Sequence, residues 1–328
     1  MKKLRLGIIG CGSIGNFHLY HLIRMEDAEV SAVCDAIPEK AEKARGKTGA
    51  KAYTDYREML EKERLDAIFV GVPPYMLPGI ELDIISRGIH LFIQKPMALS
   101  MEHANKVKAA IEKSGVINAV GFQDRYLDVA GEIAAFLHGK KTGLFRGSWL
   151  GGIAGVYWWQ KKETGGGQIV EQSIHIFDMT RMFFGEAKRV TGIGGTGIVT
   201  PGKGAVPEDF DLEDFSSVTI EYENGVIGNI LTGCYLTTPA KSGLDIFTDN
   251  GCAYYQLRQS VEFVEKGGRT LRLDVNNDNG YDCDRAFVEA VIKNDQSMIR
   301  SPYADAVKSL QLALTSQEAV ETGRAIEL

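Results

Sequence analysis

No stretch of this chain is apolar for long enough to cross a bilayer or to form the core of a secretion signal, and a strand pattern begins within a few residues of the N-terminus. The expectation is a cytoplasmic protein with no membrane partner. Basic residues are scattered and the net charge is −6, so the footprint of a nucleic-acid or anionic-membrane binder is missing and a small-molecule partner is expected. Cysteine is sparse: Cys11, Cys34, Cys234, Cys252 and Cys283 show no Cys-x-x-Cys and no zinc-type spacing. That excludes a disulfide framework read from spacing and leaves reduced, mostly buried thiols, with Cys11 taken as packing. Internal repeats, low-complexity tracts and flexible linkers are also missing.

What is present begins at the start of the chain. Leu4-Arg5-Leu6-Gly7-Ile8-Ile9 reads as a strand that runs into Gly10-Cys11-Gly12-Ser13-Ile14-Gly15 and then into a helix pattern. Gly10 suits the tight turn, Gly12 lets the backbone approach a pyrophosphate, and Gly15 lets the helix pack close to the sheet. A second strand, Glu29 to Cys34, ends in Asp35, about twenty residues beyond the last glycine, as a dinucleotide-binding fingerprint requires. Asp35 would accept hydrogen bonds from ribose hydroxyls and repel a 2′-phosphate, and no Arg follows closely. NAD is therefore expected ahead of NADP, held by Gly10, Gly12, Ser13, Ile14, Gly15 and Asp35, with Pro73, Lys95 and Gln123 at the carboxyl ends of later strands.

With 328 residues, two domains are expected. Strand-like runs near Ala52, at Ala67-Val72, Ile89-Gln94 and Val116-Phe122 alternate with helical stretches at 39–46, 56–61, 79–87 and 101–113. This pattern predicts right-handed βαβ units in a doubly wound parallel sheet, an α/β domain over residues 1–122. After a helix at 129–137, strands follow one another at 145–150, 190–196, 216–222, 226–232, 243–248 and 261–265 through Gly and Asn turns. They predict an α+β domain over 123–328 built on an open antiparallel sheet, whose bare face suits a homodimer or homotetramer. Helices at 284–293 and 304–322 close the chain, the last with the option of packing back on the first domain.

Two places carry candidate chemistry. Lys95, in Gln94-Lys95-Pro96, stands at a strand's carboxyl end, where ligands bind in such a sheet; a solvated lysine at a strand end is the other reading. Gly165-Gly166-Gly167 enters a helix on which Gln168, Glu171, His175 and Asp178 form one polar stripe amid apolar residues. His175 is either a proton-transfer group offered to a cleft or a core histidine tied to a neighbouring carboxylate. Trp158 and Trp159 are either a stacking platform for a sugar ring or core. Arg125 and Tyr126, after the last parallel strand, are candidates for contact with substrate or nicotinamide. His18 and His21 read as packing or backbone hydrogen bonding. No metal is expected, because His175 has no second histidine at ligand spacing.

Taken together, Gly10 to Gly15, Asp35, Gln94-Lys95-Pro96, Gly121-Phe122-Gln123-Asp124-Arg125-Tyr126 and the glycine-led helix resemble the glucose–fructose oxidoreductase, inositol dehydrogenase and MocA family over the whole chain. The resemblance implies a Rossmann domain followed by an open-faced antiparallel domain, NAD or NADP, and sugars, cyclitols or related polyols as substrates. It places the family's Glu-Lys-Pro lysine on Lys95 and its Asp-x-x-x-His pair on Glu171 and His175. Three positions depart from the pattern: Gln94 for glutamate, Glu171 for aspartate, and Leu77 where histidine is frequent.

The reaction that follows is hydride transfer between a nicotinamide and a secondary alcohol or ketone. His175 is expected to be the acid/base, Lys95 the cation on the reacting oxygen, and Glu171 a group that orients His175 or binds a neighbouring hydroxyl. Arg125, Tyr126, Trp158 and Trp159 would contact substrate. Two alternatives stay open: a redox-assisted glycosidase that regenerates its NAD, and a non-catalytic dinucleotide-bound sensor.

Overall fold

The computed structural model describes residues 3–328. It divides into two compact units, one taking the chain to Tyr126 and again Asp278–Val307, the other Leu127–Asn277 and Lys308–Leu328.

The first unit is a six-stranded parallel sheet of β1 (Leu4–Ile9), β2 (Ala28–Cys34), β3 (Lys51–Tyr53), β4 (Ala67–Val70), β5 (His90–Ile93) and β6 (Asn118–Val120), in the order β3-β2-β1-β4-β5-β6. This is the doubly wound dinucleotide fold expected from the alternation of elements. The central strands are short and continuously apolar because helices cover both faces: Ala67, Ile68, Phe69 and Val70 are all buried. Helix starts follow local chemistry, with Asp55 accepting from Arg57 N and Ser100 from His103 N.

The helix Asn279–Lys293 belongs to this unit, not to the second as the sequence boundary at 122 had it. Its apolar face decides the matter. Phe287 packs edge-on against Phe69 and Phe92 at 5.3 and 5.5 Å, and Cys283, Val288 and Val291 join Leu6 and Ile8 in one core. The final helix, Tyr303–Thr322, changes unit between Val307 and Lys308.

The second unit is built on a nine-stranded sheet. Its strands are β7 (Thr142–Leu150), β8 (Ala187–Gly195), β9 (Phe215–Tyr222), β10 (Ile227–Gly233), β11 (Gly243–Thr248), β12 (Gly251–Gln256), β13 (Ser260–Glu265), β14 (Thr270–Asp274) and β15 (Ile326–Glu327). The order is β14-β13-β12-β11-β7-β10-β9-β8-β15, and β7 and β10 run parallel. The expected antiparallel sheet is thus corrected to a mixed one. The chain leaves β7, passes through the helix Ile174–Phe184, and returns through β8 and β9, so β10 lands beside β7 in the same sense. Strands β12, β14 and β15 lie outside the expected runs, being short or carrying little alternation.

One face of this sheet is core, with Phe145, Val218, Ile220, Ile230, Leu244 and Ile246 buried. The other carries Leu144, Ile193, Ile227 and Leu231, all exposed, beside an Arg146–Asp245 ion pair.

Candidate active site

In the first unit the glycine loop joins β1 to the helix Ser13–Leu22. Gly10 has φ +92°, and a Cβ there would stand 2.5 Å from the Gly71 carbonyl oxygen. A Cβ on Gly15 would lie 1.8 Å from the Gly10 oxygen. Both positions admit only glycine, one for conformation and one for helix-to-loop contact. At Gly12 a Cβ would meet nothing within 4 Å, and Gly12 is the N-cap of a helix whose first turn has no acidic residue. The space above Gly12 is therefore a cradle that a side chain would fill, at the N-terminus of a helix whose first N–H groups have no carbonyl within the helix to bond, and it fits a pyrophosphate.

Asp35 is fixed beside this loop. Its Oδ2 accepts from Cys11 N at 2.8 Å and its Oδ1 from Ile37 N at 2.9 Å. A carboxylate has about four lone-pair positions, so two remain for a ribose diol. Ser13 and Ile14 are exposed on the loop, Ile14 reaching toward Gly71. Pro73 is half-buried at the start of the short helical turn Pro74–Met76. Leu77, the residue that follows that turn, is buried. Cys11 is packing, as expected: burial pushes its thiol up to about 12, with the Asp35 charge adding to the effect.

Lys95 and Gln123 also belong to this unit and are half-buried. Arg125 and Tyr126, expected to contact substrate, are both bonded to the segment around Arg300. Arg125 is 6% exposed, donates to the Arg300 carbonyl at 2.6 Å and pairs with Asp305 at 2.6 Å. The Tyr126 hydroxyl accepts from Arg300 N at 2.8 Å, and burial pushes its phenol well above the ordinary range. Together they hold the segment at Arg300 and, through Asp305, the first turn of the final helix.

His18 and His21 are also reassigned. Their partner is a buried carboxylate from a distant helix, Asp284, which receives His18 Nδ1 at 2.8 Å and His21 Nδ1 at 2.7 Å.

In the second unit the glycine run turns the chain with φ +80° at Gly166 and +84° at Gly167. The following segment is not one regular helix. Residues Ile169–Ser173 form a π-helical turn before the α-helix Ile174–Phe184. The wide turn breaks the single polar stripe expected from 3.6-residue spacing; such turns recur at functional sites. Asp178 faces the final helix and accepts from Ser309 Oγ at 2.6 Å. Gln168 is buried.

Glu171 is half-buried and its Oε2 accepts from Trp159 Nε1 at 2.7 Å. His175 is 5% exposed: Gly147 lets Ile176 approach β7, where a Cβ would stand 2.9 Å from it, and Trp149 stacks on the His175 ring at 5.7 Å and 17°. Trp159 is 2% exposed in a cluster with Leu212 and Cys234, so it cannot present a ring face to a sugar. Its contribution is the indole N–H. Trp158 is half-buried against the same cluster. Trp149 was not singled out in the sequence, because nothing local distinguishes a strand tryptophan that meets a histidine from one that meets core.

Comparison with known proteins gives a consistent picture. Residues 4–122 match the model of the oxidoreductase family with an NAD-binding Rossmann fold, and residues 142–254 match the model of the C-terminal domain of the same glucose–fructose oxidoreductase, inositol dehydrogenase and MocA proteins. The oxidoreductase YrbE of Bacillus subtilis is 27% identical over 70% of this chain and 67% of its own length. Myo-inositol 2-dehydrogenase of Thermotoga maritima is 23% identical over 99% of this chain and 98% of its own. A structure of levoglucosan dehydrogenase in complex with NADH and L-sorbose superposes with a TM-score of 0.89, at 17% identity, over 100% of this chain and 99% of that one.

Proposed function

The chain belongs to the glucose–fructose oxidoreductase, inositol dehydrogenase and MocA family of NAD-binding oxidoreductases, and from that premise we propose that it transfers hydride between NAD and a secondary alcohol or ketone of a sugar, cyclitol or related polyol. The substrate class is supported by the activities named for the inositol and levoglucosan dehydrogenases it is similar to. The observation that carries the reading in this chain is the placement of Glu171, held by Trp159, on the π-helical turn and of His175 in the first turn of the helix that follows. A carboxylate and an imidazole so placed suit two neighbouring hydroxyls, the arrangement a polyol offers.

Gly10, Gly12, Gly15 and Asp35 would hold the dinucleotide, with Ser13, Ile14, Pro73 and Gln123 beside them. When bound, the nicotinamide supplies the hydride acceptor. His175 takes the hydroxyl proton in oxidation and returns it in reduction. Lys95 stabilises the negative charge that grows on the oxygen. Glu171 accepts a hydrogen bond from an adjacent hydroxyl or orients the imidazole. Trp158 is the aromatic residue left to line the polyol's apolar face.

The working form is proposed to be a cytoplasmic homo-oligomer paired through the open sheet face. Leu144 faces Ile227 across β7 and β10, and Ile193, Ser217 and Leu231 run in line across β8, β9 and β10, so apolar side chains share one exposed surface. Light scattering of wild type and Leu231→Lys tests this, an unchanged monomer in both refuting it. The function is tested by presenting purified protein with a panel of sugars and cyclitols and following NADH absorbance. Bond cleavage without net NADH would instead favour the redox-assisted glycosidase, and no turnover on any member with tight NAD binding would favour a sensor.

A further inference from the structure

Beneath the phosphate-loop helix lies a line of buried polar groups that neither half of the proposed chemistry uses. Gln94, His18, Asp284 and His21 are 7%, 2%, 0% and 1% exposed. Asp284 Oδ1 stands 2.8 Å from His18 Nδ1, and Asp284 Oδ2 stands 2.7 Å from His21 Nδ1. On its other side the His18 ring places Nε2 2.7 Å from Gln94 Nε2. Gln94 Oε1 then accepts the backbone N–H of Lys95 at 3.2 Å.

The hydrogens in this line are fixed by elimination. An ionised carboxylate only accepts, so both histidines donate through Nδ1. The amide of Gln94 must turn its oxygen to Lys95 N–H, since its NH₂ group there would set donor against donor. Its nitrogen therefore donates to His18, whose Nε2 must be a bare lone pair. In this arrangement the His18 hydrogen sits on Nδ1, and no donor in the line faces another donor.

Packing holds the same arrangement from outside. A Cβ on Gly121 would fall 2.6 Å from Gln94 Oε1, so glycine there lets backbone close on the amide. A Cβ on Gly280 would fall 2.2 Å from Phe17 and 2.9 Å from His21, which lets the helix Asn279–Lys293 bring Asp284 within reach. Phe69 and Phe92 pack on the His18 ring with centroids at 5.4 and 5.0 Å. Apolar walls of this kind raise the cost of any mismatched hydrogen bond.

We propose that His18, Gln94 and Asp284 are positioning residues for Lys95: a buried line of hydrogen bonds, working with an amide at 94 and a neutral imidazole at 18, that fixes the backbone from which the Lys95 side chain leaves. The inference rests on the reading of Lys95 as the cation that stabilises the reacting oxygen. It also gives Gln94 a reason. A glutamate in its place would have no hydrogen to give, and His18 would need a second proton at Nε2 to meet it.

The test is nuclear magnetic resonance on the full-length protein, observing the histidine ring nitrogens and the Lys95 backbone amide in wild type, Gln94→Leu and Gln94→Glu, with thermal melts alongside. Wild type should show His18 with its hydrogen on Nδ1 and a bare Nε2. In Gln94→Leu the Lys95 amide should exchange with solvent faster by roughly tenfold or more, because its acceptor is gone. In Gln94→Glu the amide should stay protected and His18 should carry both hydrogens. A wild-type His18 protonated on Nε2, or unchanged Lys95 exchange in a folded Gln94→Leu, overturns the proposal. If Gln94→Leu does not fold, the Gln94→Glu spectrum decides, and a singly protonated His18 there overturns it. None of these readouts depends on turnover. A Lys95→Ala variant with undiminished turnover would remove the lysine's proposed role while leaving the positioning line standing.

Discussion

The indole nitrogen of Trp159 donates to Glu171 Oε2 across 2.7 Å, so a tryptophan buried with Leu212 and Cys234 sets the direction of a half-buried carboxylate on the π-helical turn. Trp159→Phe keeps the ring in its cluster and removes the donor. A hydrogen bond to a charged group contributes about 1.5–3 kcal/mol to stability, so the melting temperature should fall, and if the bond also orients Glu171 for substrate, turnover measured well below the melt should fall too. Steady-state kinetics at a temperature where both forms are folded check this, and unchanged turnover would make Trp159 purely structural.

The two outer glycines and the middle one of the loop should fail in different ways. Gly15→Ala drives a Cβ to 1.8 Å from the Gly10 oxygen, so it should destabilise the fold, by about 1–3 kcal/mol. Gly12→Val meets no protein atom at Cβ, so the fold should stay while NAD binding is lost. Denaturant melts and calorimetric NAD titration of both variants separate the two effects, and the same defect in both would refute the division of roles.

NAD should bind more tightly than NADP, because Asp35 is held at the loop by Cys11 N and Ile37 N and cannot swing away from a 2′-phosphate. Calorimetry with each cofactor decides the point. Asp35→Ala should weaken NAD as well as narrow the preference, since it also frees the Cys11 N–H of the loop.

Lys95→Ala should cost turnover on the order of a hundredfold or more with little change in NAD affinity, because its charge is needed as the oxygen gains charge. Near-normal turnover would return Lys95 to the status of an ordinary strand-end lysine.

His175→Asn should keep the fold and NAD binding and lose most activity, along with the limb of the pH profile that belongs to the imidazole. Asparagine retains polarity and approximate size, and Trp149 keeps a planar neighbour to stack on. An active or an unfolded variant would favour a core role for the ring.

The sequence by itself determined the parallel sheet, the cofactor loop and the acidic residue after β2, because each rests on short-range rules: alternation of element types, glycine conformation, and spacing along one βαβ unit. It also named Lys95, Glu171 and His175 as the residues to watch. Only the tertiary structure decided what those residues lean on. Asp284 reaches His18 from a helix more than half the chain away, and Ser309 claims Asp178 from the final helix. Trp149 meets His175 because Gly147 lets the helix close on β7, and β10 lies parallel to β7 because of a crossover that no local pattern announces. Helical periodicity could not foresee the π turn at Ile169–Ser173, and an amphipathic segment such as Asn279–Lys293 does not state which sheet will cover it. Long-range packing chooses among locally equivalent arrangements, and that choice set Arg125 against Asp305, Tyr126 against Arg300 and Trp159 against Glu171.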